Sequence, residues 1–368
     1  MRTCPTRVTA LIAGVIGLTS LAVADEAAKP AAGLDMEATL KAAFQAGELM
    51  DLHGVYITIH GEPFAEVYFE GQDESWGIDL GVRQHGPDTL HDLRSVTKPI
   101  VGMLYGIALD EGLVPPLDAP LIATFPGHDD LAADPARAAM MVRHALSMTM
   151  GIAWDESLPY SDPNNSEIRM ENAPDRVRFI LEQPMVHTPG ETWTYNGGAV
   201  ALVGKLIENG TGMRLDEFAR TRMFDPLGIT EFEWIRGADG TPSAASGLRL
   251  TQRDLAKVGE MVMNLGQHQG QQIVPEAWLQ QSFTPAQDLG ELRYGLLWFL
   301  ADYGDPPSWV AGFGNGGQRL TVQREHGLVI TVFAGRYNDW EAWRLPVSVI
   351  MDHLVPAIRA HREDDNGG

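Results

Sequence analysis

Two stretches at opposite ends of this 368-residue chain carry the same pattern, and the pairing limits its folds more than anything else in the sequence. "GVYITIHGEPFAEVYFEG", from Gly54, is apolar at Val55, Ile57 and Ile59, then at Phe64, Val67 and Phe69. Alternation with "HGEP" between the halves predicts a β-hairpin. "QRLTVQREHGLVITVFAG", from Gln318, predicts two more strands around "REHG". "YGLLWFL" predicts another strand close by. The middle reads differently. "AAMMVRHALSM", "APDRVRFILEQ", "AVALVGKLIENG" and "RLDEFARTRMF" have helical spacing and long loops between them. Helices are also expected from Met36 to Leu52, from about Ser95 to Gly112, from Thr251 to Gly266, and at the C-terminus, where Pro346 interrupts.

Strands at both ends and helices between them predict an α/β (α+β) architecture, an antiparallel sheet closed by both termini with a helical unit inserted. The expected division is 25–116 with 246–368 as the α/β subdomain and 117–245 as the helical one. A binding cleft would lie between them.

Residues 1–24 have the features of a secretory leader: Arg2 and Arg7, an apolar run, and "AVA" before Asp25. The run is broken by Thr and Gly and falls short of the ~20 residues of a membrane span. Cleavage there would release a periplasmic or secreted protein. It would also remove Cys4, the single cysteine. No disulfide, cysteine nucleophile or cysteine-bound metal would remain. The net charge of −22 would become −24 through loss of two arginines, a surface that repels nucleic acid and anionic lipid.

"RSVTKPIVG" is where chemistry concentrates. Pro99 keeps a helix from starting before about Ser95. That puts Ser95 in the first turn, at the positive end of the helix dipole. Lys98 is three residues on, on the same face, one of five lysines and flanked by Val96, Ile100 and Val101. A serine hydroxyl is a nucleophile only when a base takes its proton, and a lysine in an apolar setting can be that base. The same residues also fit a capping serine with a lysine at the surface.

Two further stretches favour the chemistry. "GETWTYNGG" puts Tyr195 and Asn196 ahead of a helix, and "AGFGNGGQRLTV" puts a Gly-rich turn ahead of a strand. Together with "LRSVTK", "RHALSMTMGI" and "ASGLRLTQRDLAKVG", from about Gly54 to Gly335, the chain resembles the serine β-lactamase and penicillin-binding protein family. The likeness is greatest to its class C-type branch of esterases, D-aminopeptidases and 6-aminohexanoate-dimer hydrolases. The resemblance implies Ser95 as the acylated nucleophile, Lys98 as its proton partner and Tyr195 as a third catalytic group. It implies an oxyanion hole from the N–H groups of Ser95 and Gln318. Asn196, Gly197, Asn315, Gly316 and Gly317 would line the substrate site. Tyr160, in the polar loop "WDESLPYSDPNNSEIR", would cover it, and Asp155, Glu156 and Asp162 would make its mouth acidic.

Two departures bear on substrate. Asn315 stands where a lysine or histidine is usual, and the second motif has Asn196 directly after the tyrosine, with Gly197 at the following position where the family carries asparagine. The expectation is a serine hydrolase that opens an amide or ester of a small substrate without a cofactor. The alternatives are a D-Ala-D-Ala carboxypeptidase or β-lactamase, and a non-catalytic cell-wall binding or sensing protein. There is no G-x-S-x-G, H-E-x-x-H or strand-linked G-x-G-x-x-G, and no two histidines sit at i, i+4 as a ligand pair, so no metal is expected.

Overall fold

The computed structural model describes residues 36–301 and 307–358. The expected leader and Cys4 lie outside the described residues. The chain starts with α1, Met36–Gln45, which ends short of Leu52 because Gly47 adopts a φ of 80°. β1, Leu52–Ile59, and β2, Glu62–Tyr68, form the predicted hairpin. A second, mostly polar hairpin follows, β3 (Glu70–Ser75) and β4 (Ile78–Gln84), and then the two-residue β5, His91–Asp92. A 3-10 turn at Arg94–Val96 opens α2, Thr97–Asp110.

The helical stretch holds α3 (Pro135–Ala138), α4 (Val142–Leu146), α5 (Ser166–Glu171), α6 (Arg176–Leu181), α7 (Gly197–Thr211) and α8 (Leu215–Ala219). β6 (Glu233–Trp234) and β7 (Leu248–Leu250) lead into α9, Gln252–Met263. The short β8 (Gln267–His268) and β9 (Gln271–Gln272) precede α10, Glu276–Ser282. The last third carries β10 (Gln287–Asp288), β11 (Leu292–Tyr294), β12 (Phe299–Ala301), β13 (Trp309–Gly314), β14 (Gln318–Gln323) and β15 (Leu328–Ala334), then α11, Arg344–Ser348.

One antiparallel sheet of eight strands runs β10-β11-β12-β13-β14-β15-β1-β2. β15 pairs with β1, so early and late strands meet near the β2 edge of the sheet, with Val55 opposite Val332 and Ile57 opposite Ile330. All seven residues of β15 are buried, which requires cover on both faces. α9 supplies part of that cover. Its Gly259 approaches so closely that a Cβ there would lie 2.5 Å from Val329 Cγ1. Thr251 caps α9 by accepting from the Asp254 N–H at 3.1 Å, as the spacing predicted. Sheet, α2 and the helical stretch share one apolar cluster, which includes Ile57, Leu104, Leu202 and Ile330.

Two expectations change. "YGLLWFL" is not one strand: β11 ends at Tyr294, the chain turns with Leu297 at φ 63°, and β12 begins at Phe299. Pro346 does not interrupt the last helix. It sits in the first turn of α11, where its missing N–H has no helical partner to lose.

Candidate active site

The nucleophile turn is built on a residue in an unfavourable conformation. Arg94 has a φ of 48°, the left-handed region that a non-glycine residue occupies only under constraint. The constraint is visible. Its guanidinium pairs with Glu74, its Nε lies 3.1 Å from Asp92 Oδ2, and it stacks 5.0 Å from the centre of the Tyr337 ring. Ser95 follows in the 3-10 turn, and Lys98 comes three residues later on α2. Lys98 is 2% exposed, and its Nζ donates to Ser95 Oγ at 3.0 Å and to the Ala245 carbonyl at 2.9 Å. The capping-serine alternative fails, since Lys98 is buried and points at the hydroxyl.

α7 brings the third group. Tyr195 precedes its N-terminus, its phenol faces Ser95, and Lys98 Nζ lies 4.9 Å from its ring centre. Burial, and then the charge of Glu156, push the Tyr195 phenol well above the ordinary tyrosine range. It is therefore a neutral hydroxyl at rest. Asn196 takes a different role from the one expected. Its Oδ1 caps α7 by accepting from the Ala199 N–H at 3.0 Å, so that oxygen is committed to the helix rather than to a substrate.

Gly197 packs against two glutamates. Glu156 Oε1 accepts from the Gly197 N–H at 2.6 Å and from Trp154 Nε1 at 2.5 Å, and Glu156 Oε2 accepts from the Tyr160 hydroxyl at 2.9 Å. Glu167, fully buried, accepts from Ser246 Oγ and lies 3.8 Å from Lys98 Nζ. A Cβ at Gly197 would collide with the Glu167 carboxylate. The glycine is thus the condition for the acid to sit there. Burial, then the neighbouring charge of Glu167, raise Glu156 to about 7, against the pull of Lys98. Glu156 is therefore more than part of an acidic mouth, and Glu167 joins it from α5, with no sequence motif to mark it. Asp155 and Asp162 shape the loop instead, accepting from the N–H groups of Ser157 and Asn164 at 2.8 Å each.

The Gly-rich turn joins β13 to β14 beside Ser95. Gly314 brings the strand so near that a Cβ would lie 2.5 Å from the Leu93 carbonyl oxygen, and Gly312 lies against Pro99 and Val96. Gly316 and Gly317 take φ of 90° and 97°, open only to glycine. The Gln318 amide clamps the turn, donating to the Ala334 carbonyl at 2.6 Å and accepting from the Ala334 N–H at 3.1 Å. Asn315 Oδ1 accepts from the Asn338 N–H at 3.0 Å, and Asn338 Oδ1 accepts from the Tyr160 N–H at 2.9 Å. Asn315 therefore ties the turn to the loop that carries Tyr160. The cations nearby are engaged: Lys98 with Glu167, Arg94 with Glu74 and Asp92, Arg336 with Asp339.

A family model for β-lactamase matches residues 46–342. The chain belongs to the β-lactamase family. With it the chain joins the serine hydrolases that open amide and ester bonds through an acyl-serine. It is 25% identical over 293 residues to the 6-aminohexanoate-dimer hydrolase of Paenarthrobacter ureafaciens, covering 72% of each chain. It is 32% identical over 111 residues to the lovastatin esterase of Penicillium rubens, across 29% of this chain and 26% of that one. Among solved structures, a penicillin-binding protein from Bacillus halodurans superposes with a TM-score of 0.66 at 15% identity, over 84% of this chain and 98% of the other.

Proposed function

We propose that this β-lactamase-family protein hydrolyses small amides or esters whose recognised groups are neutral or carry an amine, and that it disfavours substrates that need a carboxylate held. One observation carries this reading. The position usual for a carboxylate-binding lysine or histidine is Asn315, its oxygen is bound to Asn338, and the pocket beside Lys98 and Tyr195 holds two glutamates. An anion entering there would meet like charge and no free cation among the described side chains just named. Trp193, 5.5 Å from the ring of Tyr294, offers an apolar face beside Tyr195 for the body of the substrate.

In this reading Ser95 Oγ attacks the carbonyl carbon and its proton passes to the Lys98–Tyr195 pair. The pair acts as one unit, taking the serine proton as the tetrahedral centre forms and returning one through the Tyr195 hydroxyl to the departing amine or alkoxide. The N–H groups of Ser95 and Gln318 would hold the oxyanion, a role supported by the close seating of β13 and β14 on the nucleophile turn. Gly316 and Gly317 leave room for substrate backbone, and Tyr160 closes the cleft from the loop. Water then releases the acyl group. The leader at residues 1–24 supports action in the periplasm or outside the cell, which N-terminal sequencing of the exported protein tests.

The decisive test is a substrate panel with adduct mass spectrometry. A fluorophosphonate is expected to label Ser95, and Ser95→Ala to abolish both label and turnover. Neutral esters and amine-bearing short amides are expected to exceed their carboxylate-bearing counterparts by tenfold or more in kcat/KM. Faster turnover of benzylpenicillin than of any neutral ester would overturn the reading in favour of a β-lactamase.

A further inference from the structure

The eleven histidines look scattered in sequence, yet three of them meet in the interior. His53 on β1, His85 just after β4 and His91 on β5 are 1%, 5% and 0% exposed, and one nitrogen of each lies within 4.8 Å of the others. Asp73 on β3, 1% exposed, stands beside the three, with Oδ1 3.7 Å from His91 Nε2 and accepting from the Glu74 N–H at 2.9 Å and the Tyr337 hydroxyl at 3.2 Å, which leaves Oδ2 as its ligand atom. We propose that His53, His85, His91 and Asp73 form a structural site for a divalent metal of the zinc type.

The hydrogen bonding of the cluster is incomplete without a cation. His91 Nδ1 lies 3.0 Å from the Asp92 carbonyl, an acceptor, so that nitrogen carries the hydrogen and Nε2 carries a lone pair. That lone pair points at His53 Nδ1, 2.9 Å away. If His53 Nδ1 carries a hydrogen, His53 Nε2 is left bare, and it lies near the Gln72 carbonyl without closing a hydrogen bond. If it does not, two lone pairs face each other. Either tautomer leaves a buried nitrogen in conflict, a burden of about 1–3 kcal/mol in an apolar interior. Both nitrogens of His85 and Asp73 Oδ2 have no hydrogen-bond partner either, Arg83 reaching Oδ2 only at 3.8 Å.

A metal would take the facing lone pairs of His53 and His91, one nitrogen of His85 and the free oxygen of Asp73. His91 is already arranged as a ligand, with its second nitrogen on a backbone carbonyl, the usual outer contact of a metal-bound histidine. The 2.9 Å gap between His53 and His91 is close to the ~3.3 Å edge of a tetrahedron with 2.0–2.1 Å zinc–nitrogen bonds. His85 now stacks on His53 at 4.0 Å, and no hydrogen bond holds it there, so it is free to swing in as the third ligand. Three imidazoles and a carboxylate suit zinc, and a closed, buried set of four makes a structural rather than a catalytic centre. Gly71 and Gly335 cradle the His53 ring, and a Cβ at either would lie 2.5–2.6 Å from it. The centre would fasten β1, the β3–β4 hairpin and β5, and β5 runs directly into Arg94 and Ser95.

The test uses the full chain, stripped with a chelator at pH 7.5 and then titrated with zinc or cobalt(II). Binding of about one equivalent is expected, with a visible cobalt band of tetrahedral intensity. Zinc is expected to raise the midpoint of thermal unfolding by about 5 °C over the stripped protein. His85→Gln, which removes the ring no hydrogen bond holds, is expected to fold, keep esterase activity and lose the cobalt band. Ser95→Ala is expected to keep it. No stoichiometric metal, with the same midpoint in zinc and in chelator, would overturn the site. So would an unchanged cobalt band in His85→Gln.

Discussion

Two buried polar clusters converge on Ser95 by different routes, and they are finished to different degrees. The glutamate pocket reaches it through Lys98. There Glu156 receives three hydrogen bonds, and Lys98 has two acceptors and a carboxylate. The histidine cluster reaches it through β5 and Arg94, and it leaves nitrogens of His53 and His85 unmatched. A buried polar group needs a partner whether it serves chemistry or support. The first cluster has its partners within the chain, so its chemistry can be tested by substitution. The second lacks one, so it is tested by addition.

The sharpest separation comes from Ser95→Ala. It should lower kcat/KM on esters by about 10⁴-fold or more while moving the urea midpoint little, because only one donor–acceptor contact is lost. Lys98→Met should abolish activity to a similar degree and also destabilise the fold by about 3 kcal/mol, since Glu167 would be left buried without its cation. Equal stability of Lys98→Met and wild type in chemical denaturation would show that the Lys98–Glu167 pair adds nothing net to the fold.

The pocket should also write itself into the pH dependence of stability. Glu156 and Glu171 are each raised to about 7 by burial, from an ordinary value of 4.5. Both hold a proton more tightly folded than unfolded. Their contribution is therefore complete below about pH 4.5 and is lost as pH rises through 7. Buried His53, His85 and His91 work the other way, losing stability as pH falls through 6.5, so the readout is the difference between wild type and Glu156→Gln. The stability of wild type relative to Glu156→Gln should fall from pH 5 to pH 7.5, and a difference that grows over this range would contradict the assignment.

Smaller effects test the packing. Gly197→Ala should destabilise by about 1–3 kcal/mol through collision with Glu167, with loss of activity as the acid moves from Lys98. Tyr160→Phe removes one hydrogen bond to Glu156 and should change stability by about 1 kcal/mol or less, with a larger share of its effect on KM than on kcat.

What the sequence showed and hid follows from distance along the chain. Ser95 and Lys98 are three residues apart on one helix, so local geometry alone put them together. β1, β2, β14 and β15 were readable from their alternation. The polar β3–β4 hairpin had no apolar stripe to betray it. Tyr195 needed the motif around it. Glu167 and Asn338 needed the fold, because they arrive at Lys98 and Asn315 from elements 69 and 23 residues away in sequence. The histidine cluster leaves no i, i+4 spacing in the sequence, because its rings come from three separate strand regions.

Gly197 has a consequence for how this specificity could change. Restoring the family's asparagine at that position places a side chain where Glu167 already sits. The exchange alone should therefore be harmful, and removing Glu167 first would strand Lys98. Each step is unfavourable without the other, so the two residues are coupled rather than additive. A lineage, or a designer, moving between this pocket and one built for penicillins has to cross a fitness valley at this glycine, or alter both positions at once.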